Sequence, residues 1–151
     1  MQLLLSRIFS LALALTASVA SPAGANRPGD VEILLSSMNE ARMAENLPPL
    51  RLDRSLSRIA YAHAVDMARR RYYAHVTPEG VDPFARMAAS HIRFGYAGEN
   101  LAVDENAENV FNDFWNSREH RSNMLGEHYV RVGIGSVEAA VGTIVVEDFA
   151  D

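Results

Sequence analysis

Apolar residues in the first two thirds of the chain return every three or four positions, whereas in the last quarter they alternate or run together, so helices precede strands. Ile33, Leu34, Met38 and Ala41 trace one helical stripe, with Asp30 as candidate N-cap and Pro48-Pro49 as the stop. A second, more regular stripe runs through Leu56, Ile59, Ala60, His63, Ala64, Met67 and Ala68. Asp53 is placed to cap it, and Arg69-Arg70-Arg71 suits the negative pole at its end. His63 takes a position in that stripe and is expected in the core. Asp82-Pro83 opens a short helix carrying Phe84 and Met87. Val110, Phe111, Phe114 and Trp115 share one face of a helix from Glu105 to Asn116, more as core than as a ligand platform. Ser117 reads as the N-cap of one further turn, with His120 at its third position.

The period then changes. Val130, Val132 and Ile134 alternate with Tyr129, Arg131 and Gly133, and Thr143 to Phe149 is rich in β-branched residues, with Ala139 to Gly142 as the connection between two strands. Gly98 to Ala102 predicts a third, short strand. The pattern is that of an α+β fold in which helices flank a small antiparallel sheet.

Composition narrows the setting. Residues 1–25 carry one charge, Arg7, followed by an apolar run from Ile8 to Ala20 and small residues at Ala23-Gly24-Ala25, with Ser18-Val19-Ala20 as the other cleavage candidate. The run is too short to span a bilayer, which needs about 20 residues. A signal peptide over 1–25, a single domain over 26–151 and a periplasmic or extracellular location without a stable transmembrane anchor are therefore expected. Once Arg7 is removed, 13 basic residues face 19 acidic ones, a net charge of −6, which argues against nucleic acid as a partner. The sequence has no cysteine, so neither a disulfide nor a thiol nucleophile enters the argument, and the packed core alone must stabilise the domain.

The candidate chemistry is dispersed. His75 precedes Glu99 by 24 residues and Glu99 precedes His120 by 21, so no single helix holds them as in a His-Glu-x-x-His motif, and only the fold can assemble them. Two imidazoles and a carboxylate suit zinc or another divalent cation when one coordination position stays open. The same residues also suit a buried polar network that fixes the fold. If catalysis occurs, Glu99 and His75 are the residues to carry it; a pairing of Glu99 with Glu119 for glycoside hydrolysis is a remote alternative. Gly133-Ile134-Gly135-Ser136-Val137 matches neither a nucleophile elbow nor a dinucleotide loop. His91 reads as a loop residue, and Tyr72, Tyr73 and Tyr96 are candidates for a cleft mouth.

Taken in order, several segments resemble the CAP superfamily, or SCP domain, in its short bacterial form. They are Met38-Asn39-Glu40-Ala41-Arg42 with Leu47-Pro48-Pro49-Leu50, then His63 and Asp66, His75 with Pro78, Gly80 and Arg86, Gly98-Glu99-Asn100-Leu101-Ala102, Trp115 to Leu125, Val132-Gly133-Ile134-Gly135 and Val146-Glu147-Asp148-Phe149. The resemblance implies an α-β-α sandwich and a cavity lined by two histidines and two acids, which in some members binds a divalent cation. It carries His75 and Glu99 over directly. The second histidine falls on His120 by the short bacterial pattern and on His128 by the longer form. The second acid of the longer form lands on Arg118, with Glu119 one residue later. A binding protein for a metal ion or a small or lipid-like ligand at the cell envelope is the function so implied, with a metal-assisted peptidase or esterase as the alternative and a purely structural domain as the third.

Overall fold

The structure is a computed structural model that describes residues 27–151; the expected leader at 1–25 lies outside them. Helix α1 (Pro28–Ala44) is followed by β1 (Arg51–Leu52), α2 (Arg54–Arg70), α3 (Pro83–Ala89), β2 (Ala97–Asp104), α4 (Ala107–Asn116), α5 (Arg118–Met124), β3 (Arg131–Ala139) and β4 (Gly142–Ala150). The four strands form one sheet in the order β1-β3-β4-β2. β3 and β4 make a hairpin across Ala140-Val141, and β2 lies antiparallel to β4 with Glu99 opposite Asp148 and Asn100 opposite Glu147. β1 runs parallel to β3, so the sheet is mixed rather than purely antiparallel. Two residues are too few to show a period. The segment is instead set by Asn39, whose amide donates to the Leu50 carbonyl at 3.1 Å and accepts from the Leu50 N–H at 2.8 Å.

Helices cover both faces, giving the α-β-α layering. Leu34 and Met38 of α1 pack with Val110 and Phe114 of α4 onto Val132, Ile134, Val145 and Phe149. Ala60, Ala64 and Met67 of α2 pack on the other face against Leu101, Val137, Ile144 and Val146. Strand side chains alternate between faces, so Glu99 shares the α2 face with Leu101, while Asn100 shares the α4 face with Ala102. α2 rides directly on β3: a Cβ at Gly133 would stand 2.1 Å from the Leu56 carbonyl carbon, and one at Gly135 would stand 2.2 Å from the Tyr61 nitrogen. The two glycines that match no phosphate loop are the seat of this helix.

Three predicted caps hold. Asp53 accepts from the Ser55 and Leu56 amides, Asp82 from Ala85 and Ser117 from His120. Asp30 does not cap: α1 begins at Pro28, whose fixed φ suits the first helical position, so Asp30 falls inside the first turn. There it is buried, accepts from Ser136 Oγ at 2.7 Å and pairs with Arg27 at 3.0 Å. α4 starts at Ala107 with Asn106 as cap, two residues later than expected, and β2 extends beyond the predicted Gly98 to Ala102.

Arg42 of α1 is fully buried beside the predicted Ala41. Its guanidinium donates to the carbonyls of Pro48 (2.8 Å), Met124 (2.8 Å) and Gly126 (3.0 Å). One side chain thus satisfies carbonyls at the end of α5 and in the loop that leads to β3, of which that of Met124 is buried.

Candidate functional site

β2 is an edge strand, and the candidate residues gather on both its faces. On the α2 face, the Glu99 side chain is only 2% exposed. Its Oε1 lies 2.7 Å from His75 Nδ1 and its Oε2 accepts from Arg86 Nη2 at 2.5 Å. His75 sits in the loop after α2, whereas Arg86 comes from α3, which its Asp82 cap and Pro83 start at that point of the chain. Arg86 Nη1 also donates to the carbonyls of His75 (2.8 Å) and Val81 (3.1 Å), so one guanidinium fixes both the carboxylate and the loop that carries the imidazole. The His75 side chain is 49% exposed. Its hydrogen bond to Glu99 raises the imidazole pKa, against an opposing effect of burial.

On the α4 face, Asn100 Nδ2 donates to the His120 carbonyl at 3.2 Å and to Glu147 Oε2 at 3.1 Å. Asn123 of α5 donates to Asn100 Oδ1 at 2.9 Å and to the Glu99 carbonyl at 3.3 Å, which ties α5 to the strand edge. The His120 ring stands edge-on to Phe114, with centroids 5.1 Å apart. Burial lowers the His120 pKa first, and the charge on His75 lowers it further.

Two acids that the sequence reading did not single out lie beneath. Glu147 is fully buried, and burial pushes its carboxyl up to about 8 although Asn100 works the other way. Asp148 is fully buried, directly opposite Glu99 on the neighbouring strand. Burial, and then the neighbouring Glu99 carboxylate, hold its pKa well above the usual range. The available signal was the placement of two acids inside a β-branched run, in a strand that helices cover on both sides.

The remaining candidates lie elsewhere. Glu119 is exposed at the start of α5, where its carboxylate accepts from Ser117 Oγ at 3.3 Å. His128 stacks on Tyr96, rings 4.0 Å apart and 11° from parallel, in the loop before β3. His63 is a core residue, as its stripe implied: it is buried, with Nε2 2.9 Å from the Ala74 carbonyl, and burial lowers its pKa. His91 is exposed just past α3. Among the described residues no three histidine or acidic side chains converge as a metal-ligand set. Both Glu99 oxygens already accept from His75 and Arg86, so a cation shared by His75, Glu99 and His120 requires that ion pair to open.

Known proteins share this architecture. An uncharacterized protein of Bacillus subtilis (strain 168), YkwD, is 35% identical over 112 residues, which cover 74% of this chain and 43% of that protein. An extracellular protein containing a SCP domain from Bacillus anthracis str. Ames superposes with a TM-score of 0.74 at 26% identity, covering 82% of this chain and 40% of that one. An outer surface protein from Borrelia burgdorferi superposes with a TM-score of 0.78 over 85% of this chain and 98% of that one, at 24% identity, a likeness of fold alone. The chain therefore spans less than half the length of the two Bacillus proteins. The profile of CAP, the cysteine-rich secretory protein family, matches residues 35–149, from within α1 to the penultimate residue of β4. With the fold, the order of its motifs and that match in agreement, this cysteine-free chain belongs to the CAP family.

Proposed function

We propose that this CAP domain is exported and serves as a binding module, engaging a polar group of a cell-envelope component through His75 at the edge of β2. The observation that carries the reading is a half-exposed imidazole held on a buried carboxylate that an arginine also holds. Such an imidazole is oriented before any ligand arrives. Nδ1 is committed to Glu99, and the raised pKa favours the charged ring, whose Nε2–H is then a donor for an anionic or hydroxyl group. General-base chemistry is served less well, because both Glu99 oxygens are engaged. Export is supported by the apolar leader over 1–25 and by the Bacillus anthracis relative described as extracellular.

The test is retention of the purified protein on isolated bacterial wall and membrane fractions, beside His75→Ala and Glu99→Gln. Saturable retention that both substitutions weaken by about tenfold or more is expected. Undiminished retention by both variants defeats the reading. Peptidase or esterase turnover that vanishes in His75→Ala replaces it with hydrolysis. Calorimetric titration of zinc, with uptake lost in both variants, replaces it with a metal site.

A further inference from the structure

At the edge of the sheet opposite β2, a groove of about 500 Å³ runs between α1 and α2, with Leu52 of β1 and Ile134 of β3 also in its lining. β1 pairs with β3 only at Arg131 and Val132, so from Gly133 to Ala139 that edge of β3 has no strand beside it among the described residues. The first edge donor past β1, the Ile134 N–H, goes to the Ser57 hydroxyl at 3.2 Å. The Ile134 carbonyl faces the same edge, since an antiparallel ladder turns both backbone groups of a residue to one side. An edge of this kind suits an extended occupant.

The two helices give the groove unlike walls. On α1, Val31 and Leu35 are half-buried and a helical turn apart, an apolar wall on which Glu32 is the one acid. On α2, Arg54 and Arg58 are likewise a turn apart, and both are exposed. Neither pairs with a carboxylate among the described residues, whereas Arg27, Arg70, Arg86 and Arg131 all do. Two unpaired cations on one wall, in a chain that is acidic overall, call for an acidic complement. Residues four apart on a helix are separated by about 6 Å along its axis, and residues two apart on an extended chain by about 6.7 Å. One extended segment can therefore set acidic side chains at i and i+2 against Arg54 and Arg58 while the apolar side chains between them turn toward Val31 and Leu35.

We propose that this groove docks an extended segment of a partner protein in which acidic and apolar residues alternate. The site lies apart from His75 and stands or falls independently of the binding proposed there.

The probe is a fluorescein-labelled hexapeptide of alternating glutamate and valine, titrated into the purified protein and followed by fluorescence anisotropy. Saturable binding is expected. A peptide of alternating lysine and valine, and one with the same glutamates and valines in two blocks, are each expected to bind at least about tenfold more weakly, since neither matches both walls. Arg58→Glu, at an exposed position that leaves the fold intact, is expected to weaken binding by about tenfold or more, and His75→Ala to leave it unchanged. Absence of saturable binding, equal binding of the lysine or the block peptide, an unaltered Arg58→Glu affinity or loss of binding in His75→Ala each overturns the proposal. Self-association in sedimentation that Arg58→Glu abolishes gives the groove to a second copy of this chain and overturns it as well.

Discussion

At Glu99 one carboxylate holds a guanidinium with one oxygen and an imidazole with the other, and of these groups His75 is the one half in water. Its raised pKa means that the pair stabilises the fold fully below the ordinary histidine value of 6.5, and that this contribution is lost as pH rises through the folded-state value. In an NMR titration, the His75 midpoint is expected above 6.5 in the wild type and lower in Glu99→Gln; an unmoved midpoint means the hydrogen bond is absent in solution. His120 behaves oppositely, with a midpoint below 6.5 that rises in His75→Ala, because the charge on His75 is one of its depressants. His75 and Glu99 were legible in the sequence because each sits in a distinctive polar segment. Arg86 is legible only as part of a motif, since nothing in the order of residues shows that a side chain 13 positions before Glu99 folds back onto its carboxylate.

Among the elements, α2 was the most legible and β1 the least. The α2 stripe is long and regular, so its buried set, His63 included, follows from spacing. What spacing could not tell is how closely α2 approaches the sheet, and Gly133 and Gly135 answer that. Gly135→Ala is expected to cost about 3 kcal/mol or more in urea unfolding, because the clash is with helix backbone rather than a movable side chain. Gly29→Ala, with open space at its Cβ, is the control and should be neutral or mildly stabilising. Arg42 shows the reverse failure of pattern. A charged residue at the edge of an apolar stripe reads as solvated, yet here buried carbonyls require it. Arg42→Met keeps the bulk and orphans those carbonyls, so a loss of about 3 kcal/mol is expected, with faster amide exchange over residues 124–130.

For the molecule as a whole, buried titratable groups set the pH range of stability from both sides. The Glu147 carboxyl stands at about 8 in the folded state against 4.5 unfolded, so its contribution is complete below 4.5 and lost as pH rises through 8, with a slope of about 1.4 kcal/mol per pH unit between. Asp148 acts in the same sense. His63 and His120, both depressed, act in the other: stability present above 6.5 declines as pH falls through their folded values. Denaturant midpoints measured across pH should therefore fall off in both directions, and Glu147→Gln should flatten the alkaline side; an unchanged alkaline slope would show that the carboxyl is ionised in the native state.

The edge strand joins the site to the folding of the chain in one further way. Glu99 and Asn100 are consecutive, point to opposite faces of β2 and meet different partners, so a slip of one residue against β4 would reverse both and break the His75 pair together with the Asn100 bonds to His120 and Glu147. A molecule with that strand out of register cannot present the oriented imidazole. The fraction of a preparation able to engage a ligand through His75 is thus an active-site titre of correctly paired chains, and it can be counted without any spectroscopic measure of secondary structure.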